Sequence, residues 1–224
     1  MTKRREFIHQ AATGVAAIGA VTFPLGSNML PPAWRSATVS DDWDLSWTSR
    51  LKGKHKAVFD VPEIESGFGV YRASSWAAQY ADVLEAPPAD LSPVIVLRGH
   101  AVVLGLQQAF WDKYEVGRTV RATHPVTVSE TTKNPVLLDE RDRLPAPLAN
   151  AALHKQLGRG VIVLACNVAL QNWIDLIKTK RKVSEADART EAIAALVPGV
   201  ILQPSGVFAA TLAQEHGCTY LRAS

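Results

Sequence analysis

The feature that most constrains this chain is a series of short, wholly apolar runs set apart by segments of helical length. Val161-Ile-Val-Leu-Ala165 is the strongest run, and Val94-Ile-Val-Leu97 comes next. Neither alternates with polar residues, so each predicts a strand buried on both faces, as in a parallel sheet between helical layers. Ala57-Val-Phe59, Val200-Ile-Leu202 and Cys218-Thr-Tyr-Leu221 read as three further strands. Short strands alternating with helices are joined by right-handed crossovers. The expected fold is therefore three-layer α/β/α with a mostly parallel sheet of about five strands.

The intervening segments carry a helical period. In 67–85, Val70, Trp76, Ala77, Tyr80 and Leu84 fall on or near one face, and Pro87-Pro88 stops the helix. A second helical stretch runs from Arg98-Gly99-His100 to Tyr114, and a third covers 149–157, ended by Gly158 and Gly160. Leu170, Trp173, Ile174 and Ile177 follow the i, i+3, i+4, i+7 rule. Ser184-Glu-Ala-Asp187 reads as a capping box for a helix ending at Pro198-Gly199, and Pro204-Ser205-Gly206 opens another that runs to His216. Trp43, Trp47 and Leu51 suggest a short amphipathic helix after Asp41-Asp42. Residues 116–147, rich in Thr, Pro and charge, form an insertion of the length that tends to carry function. Residues 41–224 thus read as a single domain.

The N-terminus has a different character. Lys3-Arg4-Arg5 precedes an uncharged, mildly apolar stretch, Ala11–Leu25, and then a polar, Pro-containing linker over 27–40. Arg4-Arg5-Glu6-Phe7-Ile8 resembles the twin-arginine (Tat) export signal, with residues 1–37 as signal and linker. That resemblance implies a periplasmic destination. The apolar stretch is shorter than the roughly 20 residues a spanning helix needs, so no stable membrane span is expected once the signal is removed. Without residues 1–37 the chain carries 20 basic and 20 acidic residues, which lacks the footprint of a nucleic-acid binder. The one basic run, Lys178-Thr-Lys180-Arg181-Lys182, reads as the solvated end of a helix.

In a parallel sheet, ligands gather at the carboxyl ends of the strands. The chemistry-bearing residues leaving the strands there are Asp60 and Glu63, Arg98 and His100, Cys166 and Asn167, and Ser205. Cys166 stands where a strand gives way to a helix, a position whose free N–H groups favour a thiolate; it reads either as a nucleophile or as a small core residue. Arg98 reads as an anion ligand or as an ion-pair partner. His100 would stabilise a neighbouring thiolate or play a structural part, and Ser205 reads chiefly as a helix cap. Cys166 ends one strand and Cys218 begins another, so parallel strands hold them at opposite ends and both should be free thiols. Gly67-Phe-Gly69 lacks the partners of a phosphate loop, no Gly-x-Ser-x-Gly elbow occurs, and no His or Cys spacing suits a metal. No cofactor is expected.

Several segments resemble the DsrE/DsrF-like family, in particular exported members. They are Phe59-Asp60, Val96-Leu97-Arg98-Gly99-His100, Gly160-Val161 through Ala165-Cys166-Asn167-Val168-Ala169-Leu170, Leu196-Val197-Pro198-Gly199-Val200, Pro204-Ser205-Gly206-Val207 and Ala213-Gln214-Glu215-His216-Gly217-Cys218. The resemblance implies a three-layer α/β/α domain that carries sulfane sulfur as a persulfide on one cysteine, the position matched by Cys166. His100 would assist, and Arg98, Asn167 and Ser205 would line the ligand site. Implied partners are a sulfur donor or acceptor protein, or a small thiol or sulfane compound, with possible homo-oligomer formation. The export leader and the insertion depart from the cytoplasmic members. The alternative function is a non-catalytic envelope binding or assembly module on the same fold.

Overall fold

Residues 43–224 are described in a computed structural model. The signal and linker expected over 1–37 lie outside them. Five strands form one sheet, all parallel, in the order β4-β3-β2-β1-β5. They are β1 (His55–Val61), β2 (Leu91–Leu97), β3 (Ile162–Cys166), β4 (Val200–Gln203) and β5 (Thr219–Arg222). Helices cover both faces, so the three-layer expectation holds. Helix α1 (Phe68–Leu84) joins β1 to β2. Between β2 and β3 run α2 (Gln108–Tyr114), α3 (Val116–Thr119), α4 (Ala146–Asn150) and α5 (Leu153–Gly158). Helices α6 (Asn167–Arg181) and α7 (Glu185–Ala194) lead to β4, and α8 (Gly206–Glu215) leads to β5.

The strand order explains why the two faces differ. From β1 through β4 the chain advances in one direction across the sheet, and right-handed crossovers put every connection on the same face. From β4 it doubles back past the whole sheet to β5, so α8 lands on the opposite face. The alternating side chains sort accordingly. Phe59, Val61, Ile95, Leu97, Val163 and Ala165 pack with α1, α6 and α7. Val58, Val94, Val96, Ile162 and Leu164 pack with Ala209, Ala210 and Ala213 of α8 and with Trp47.

Local chemistry sets the boundaries. Ser184 Oγ accepts the Asp187 N–H at 3.1 Å, and Ser205 Oγ accepts the Phe208 N–H at 3.0 Å, capping α7 and α8. The basic run occupies the last turn of α6, where positive charge complements the helix dipole, and Arg181 pairs with Glu191 of α7. Three expectations need correction. The segment after Arg98 is a 3-10 helix over Gly99–Gly105, distinct from α2, because residues 101–105 are all buried and leave no polar face. The stretch over 149–157 is split into α4 and α5. Trp47 sits in a 3-10 turn, Ser46–Arg50, rather than in an α-helix. That turn is held by Gln203 at the end of β4, which is fully buried; its Oε1 accepts the Trp47 indole N–H at 3.2 Å, and its amide donates to the Asp44 carbonyl at 2.8 Å.

A buried side chain within the insertion helps to anchor it. Buried Asn134 donates to the Leu104 and Leu106 carbonyls at 3.0 and 2.9 Å and accepts the Val136 N–H. Nearby, Thr123 and Glu130 form an antiparallel bridge, and Leu138, Leu144 and Ala149 make a small separate core. Among the described residues no helix is long and apolar enough to cross a membrane.

Candidate functional site

The carboxyl ends of β1, β2 and β5 meet at a buried carboxylate. Asp60, 1% exposed, accepts hydrogen bonds from Arg98 Nε and Nη2 at 2.6 and 2.8 Å and from the Tyr220 hydroxyl at 2.6 Å. Hydrogen bonding to Asp60 raises the pKa of both Arg98 and Tyr220. A bidentate guanidinium so engaged is a structural clasp. Of the two roles read for Arg98, the ion pair is the one observed.

Cys166 ends β3 and occupies the N-cap position of α6. Its Sγ accepts the Ala169 N–H at 3.4 Å. An N-cap sulfur receives both a backbone donor and the positive end of the helix dipole. The residue is 5% exposed and belongs to the core on the α1/α6/α7 face. Cys166 and Cys218 are both free thiols. Burial raises the pKa of Cys218, only partly offset by Lys56. Asn167, the first residue of α6, is also buried, and its Oδ1 accepts from Arg189 Nη1 at 2.7 Å.

His100 follows the neighbouring strand. It projects from the 3-10 turn after β2 with its side chain 80% exposed, and its Nδ1 stands 2.8 Å from Glu63 Oε2. The turn is seated close behind the end of β1: a Cβ on Gly99, at φ +53°, would meet the Pro62 carbonyl oxygen at 2.9 Å. His100 lines a cleft of about 730 Å³. Glu63, Ile64, Glu65 and Ser66 enter it from the segment after β1, Thr119–Thr123 from the insertion, and Asn172, Trp173 and Leu176 from α6. Ser66 Oγ and Thr123 Oγ1, 2.5 Å apart, tie the first two groups together.

The residues expected to share a site each have their own partners. Cys166 and Asn167 adjoin at the start of α6, Arg98 is clasped to Asp60, Ser205 caps α8, and His100 alone of the five lines the cleft. Sequence reasoning missed Arg121, Ser66 and Thr123 as cleft residues. The length of the insertion was the one available signal, since no motif marks them. Among the described residues, no group of three His, Cys, Asp or Glu side chains is placed to hold a metal ion. Comparison with protein-family models finds no match, and no curated protein matches the chain.

Proposed function

We propose that this is an exported sulfur-handling protein of DsrE/DsrF type, with Cys166 as the residue that holds the sulfur. The observation that carries the reading is the Cys166 sulfur at the head of α6, accepting the Ala169 N–H at the carboxyl end of a parallel sheet. The resemblance around Ala165-Cys166-Asn167 supports it, as does the twin-arginine-like N-terminus for export. The Cys166 thiolate attacks the terminal sulfur of a polysulfide or persulfide donor. An S–S bond forms at Cys166, and the donor leaves as the thiolate shortened by one sulfur. An acceptor thiolate then attacks the outer sulfur and releases Cys166 as the thiolate, so no external oxidant or reductant is needed. Ala169 N–H stabilises the charge at both stages. His100 hydrogen-bonds to Glu63 in the neighbouring cleft, which Cys166 does not line. At 5% exposure the sulfur reacts through local opening of the first turn of α6.

The test is incubation of the purified protein with inorganic polysulfide, followed by intact and peptide mass analysis. A mass gain of one sulfur on Cys166, absent in Cys166→Ser, supports the reading. Unmodified Cys166 under conditions that load a control carrier overturns it.

The burial of Cys166 favours a second reading: an envelope binding or assembly module in which the sulfur only packs and the insertion makes the contacts.

A further inference from the structure

The cleft beside His100 combines three features that the fold itself does not require. The first is its position and size. It opens above the carboxyl ends of β1 and β2, where parallel sheets bind ligands, and its volume of about 730 Å³ suits a small molecule. The second is backbone strain gathered on its walls. Glu65, Ser66 and Arg121 adopt φ of +36°, +56° and +51°, a region that side-chain-bearing residues rarely occupy and that collects at ligand sites. The third is the distribution of charge. Both carboxylates on the rim already have partners, Glu63 the His100 ring in a hydrogen bond and Glu65 the Arg72 guanidinium. Arg121 is exposed, and none of the ion pairs among the described residues includes it. The remaining wall is apolar, formed by Ile64, Val120, Trp173 and Leu176.

We infer that this cleft binds a small amphiphilic anion, with an aromatic or aliphatic body against Trp173 and Leu176 and an acidic group at Arg121. A guanidinium in search of a partner selects a carboxylate, sulfonate or similar oxyanion. An organic cation would have to displace His100 or Arg72 from the acidic side chains that hold them. The indole of Trp173 is fixed edge-to-face against Phe110, at a ring separation of 6.0 Å, which pre-organises the apolar wall. Cys166 lines no part of the cleft. The inference therefore goes beyond the sulfur reading and stands or falls separately from it.

Two dyes of matched body separate the contributions: 8-anilinonaphthalene-1-sulfonate carries the anionic group, and N-phenyl-1-naphthylamine lacks it. Fluorescence titration of the full chain should show one saturable site for the sulfonate. Arg121→Ala should weaken the sulfonate about tenfold or more and leave the neutral dye unchanged. Asn172→Trp, on the exposed side of α6, should fill the cleft and abolish binding of both while the melting temperature holds. Equal response of the two dyes to Arg121→Ala, or undiminished sulfonate binding in Asn172→Trp, overturns the inference.

Discussion

Arg98 and Asp60 hold the carboxyl ends of β1 and β2 together through two parallel hydrogen bonds of 2.6 and 2.8 Å, and Tyr220 brings the edge strand β5 into the same clasp. Asp60 is almost fully buried, whereas a third of the Arg98 side chain remains in contact with solvent. Removing the negative charge strands a guanidinium against a neutral amide and weakens two of three bonds. Asp60→Asn is expected to cost about 2–4 kcal/mol. Urea unfolding monitored by circular dichroism measures it.

Gly206 is the counterpart of that clasp. A Cβ added there would stand 2.5 Å from Arg98 Cβ and 2.8 Å from its Cδ, closer than non-bonded carbons approach. Alanine would ordinarily favour a helical position, but here the first turn of α8 or the Arg98 side chain must shift. Gly206→Ala should destabilise by about 1–3 kcal/mol. The same substitution in an Arg98→Ala background should cost less but not become neutral, because alanine removes the Cγ and Cδ contacts and keeps the Cβ at 2.5 Å; a double-mutant cycle reads the difference.

Ser205 tests whether a residue at a strand end is there for a ligand or for the helix. Its hydroxyl accepts the Phe208 N–H, and capping accounts for its place at the head of α8. Ser205→Ala should lower stability by about 1 kcal/mol, and Ser205→Asp should restore most of it. Sulfur loading of Cys166 should be unchanged in both.

Glu191 gives the fold an acid-sensitive joint. Burial pushes its pKa up, but hydrogen bonds from Lys113, Tyr114 and Arg181 outweigh that and hold it at about 2, well below the usual carboxylate range. A carboxylate whose pKa is depressed by folding contributes stability above its unfolded pKa and loses it as pH falls through the folded one. The packing of α2 and α6 on α7 should therefore weaken between pH 4.5 and about 2. Glu191→Gln should flatten the melting temperature across that window and cost about 1–2 kcal/mol at neutral pH.

The elements that sequence alone predicts best are those whose burial pattern is uniform. The runs at 94–97 and 161–165 are apolar throughout because β2 and β3 are covered on both faces, and that demand is visible in composition. β2 nevertheless begins earlier, at Leu91, and passes through Pro93, which a strand pattern rejects. Pro93 is tolerated because β3 pairs with β2 only from Val94 onward, so no neighbour on that side requires its missing N–H. Strand order was not legible, since the reversal that carries β5 past β1 depends on long-range packing. The site was legible in part. A helix-capping residue such as Ser205 declares itself locally, but the partners of Arg98 and His100 lie more than thirty positions away, at Asp60 and Glu63. Nothing within a few residues of Arg121 signals that it will line the same cleft as Trp173.

Alkylation of the two thiols in the folded chain most directly tests whether the Cys166 sulfur is a reacting group. Cys218 is a built-in reference, because burial raises its pKa and suppresses its reactivity. Native protein treated with iodoacetamide and analysed by peptide mass should carry label on Cys166 well before any on Cys218. If Cys166 stays unlabelled until denaturant exposes both residues together, its sulfur is packing, and the sulfur-handling account is contradicted.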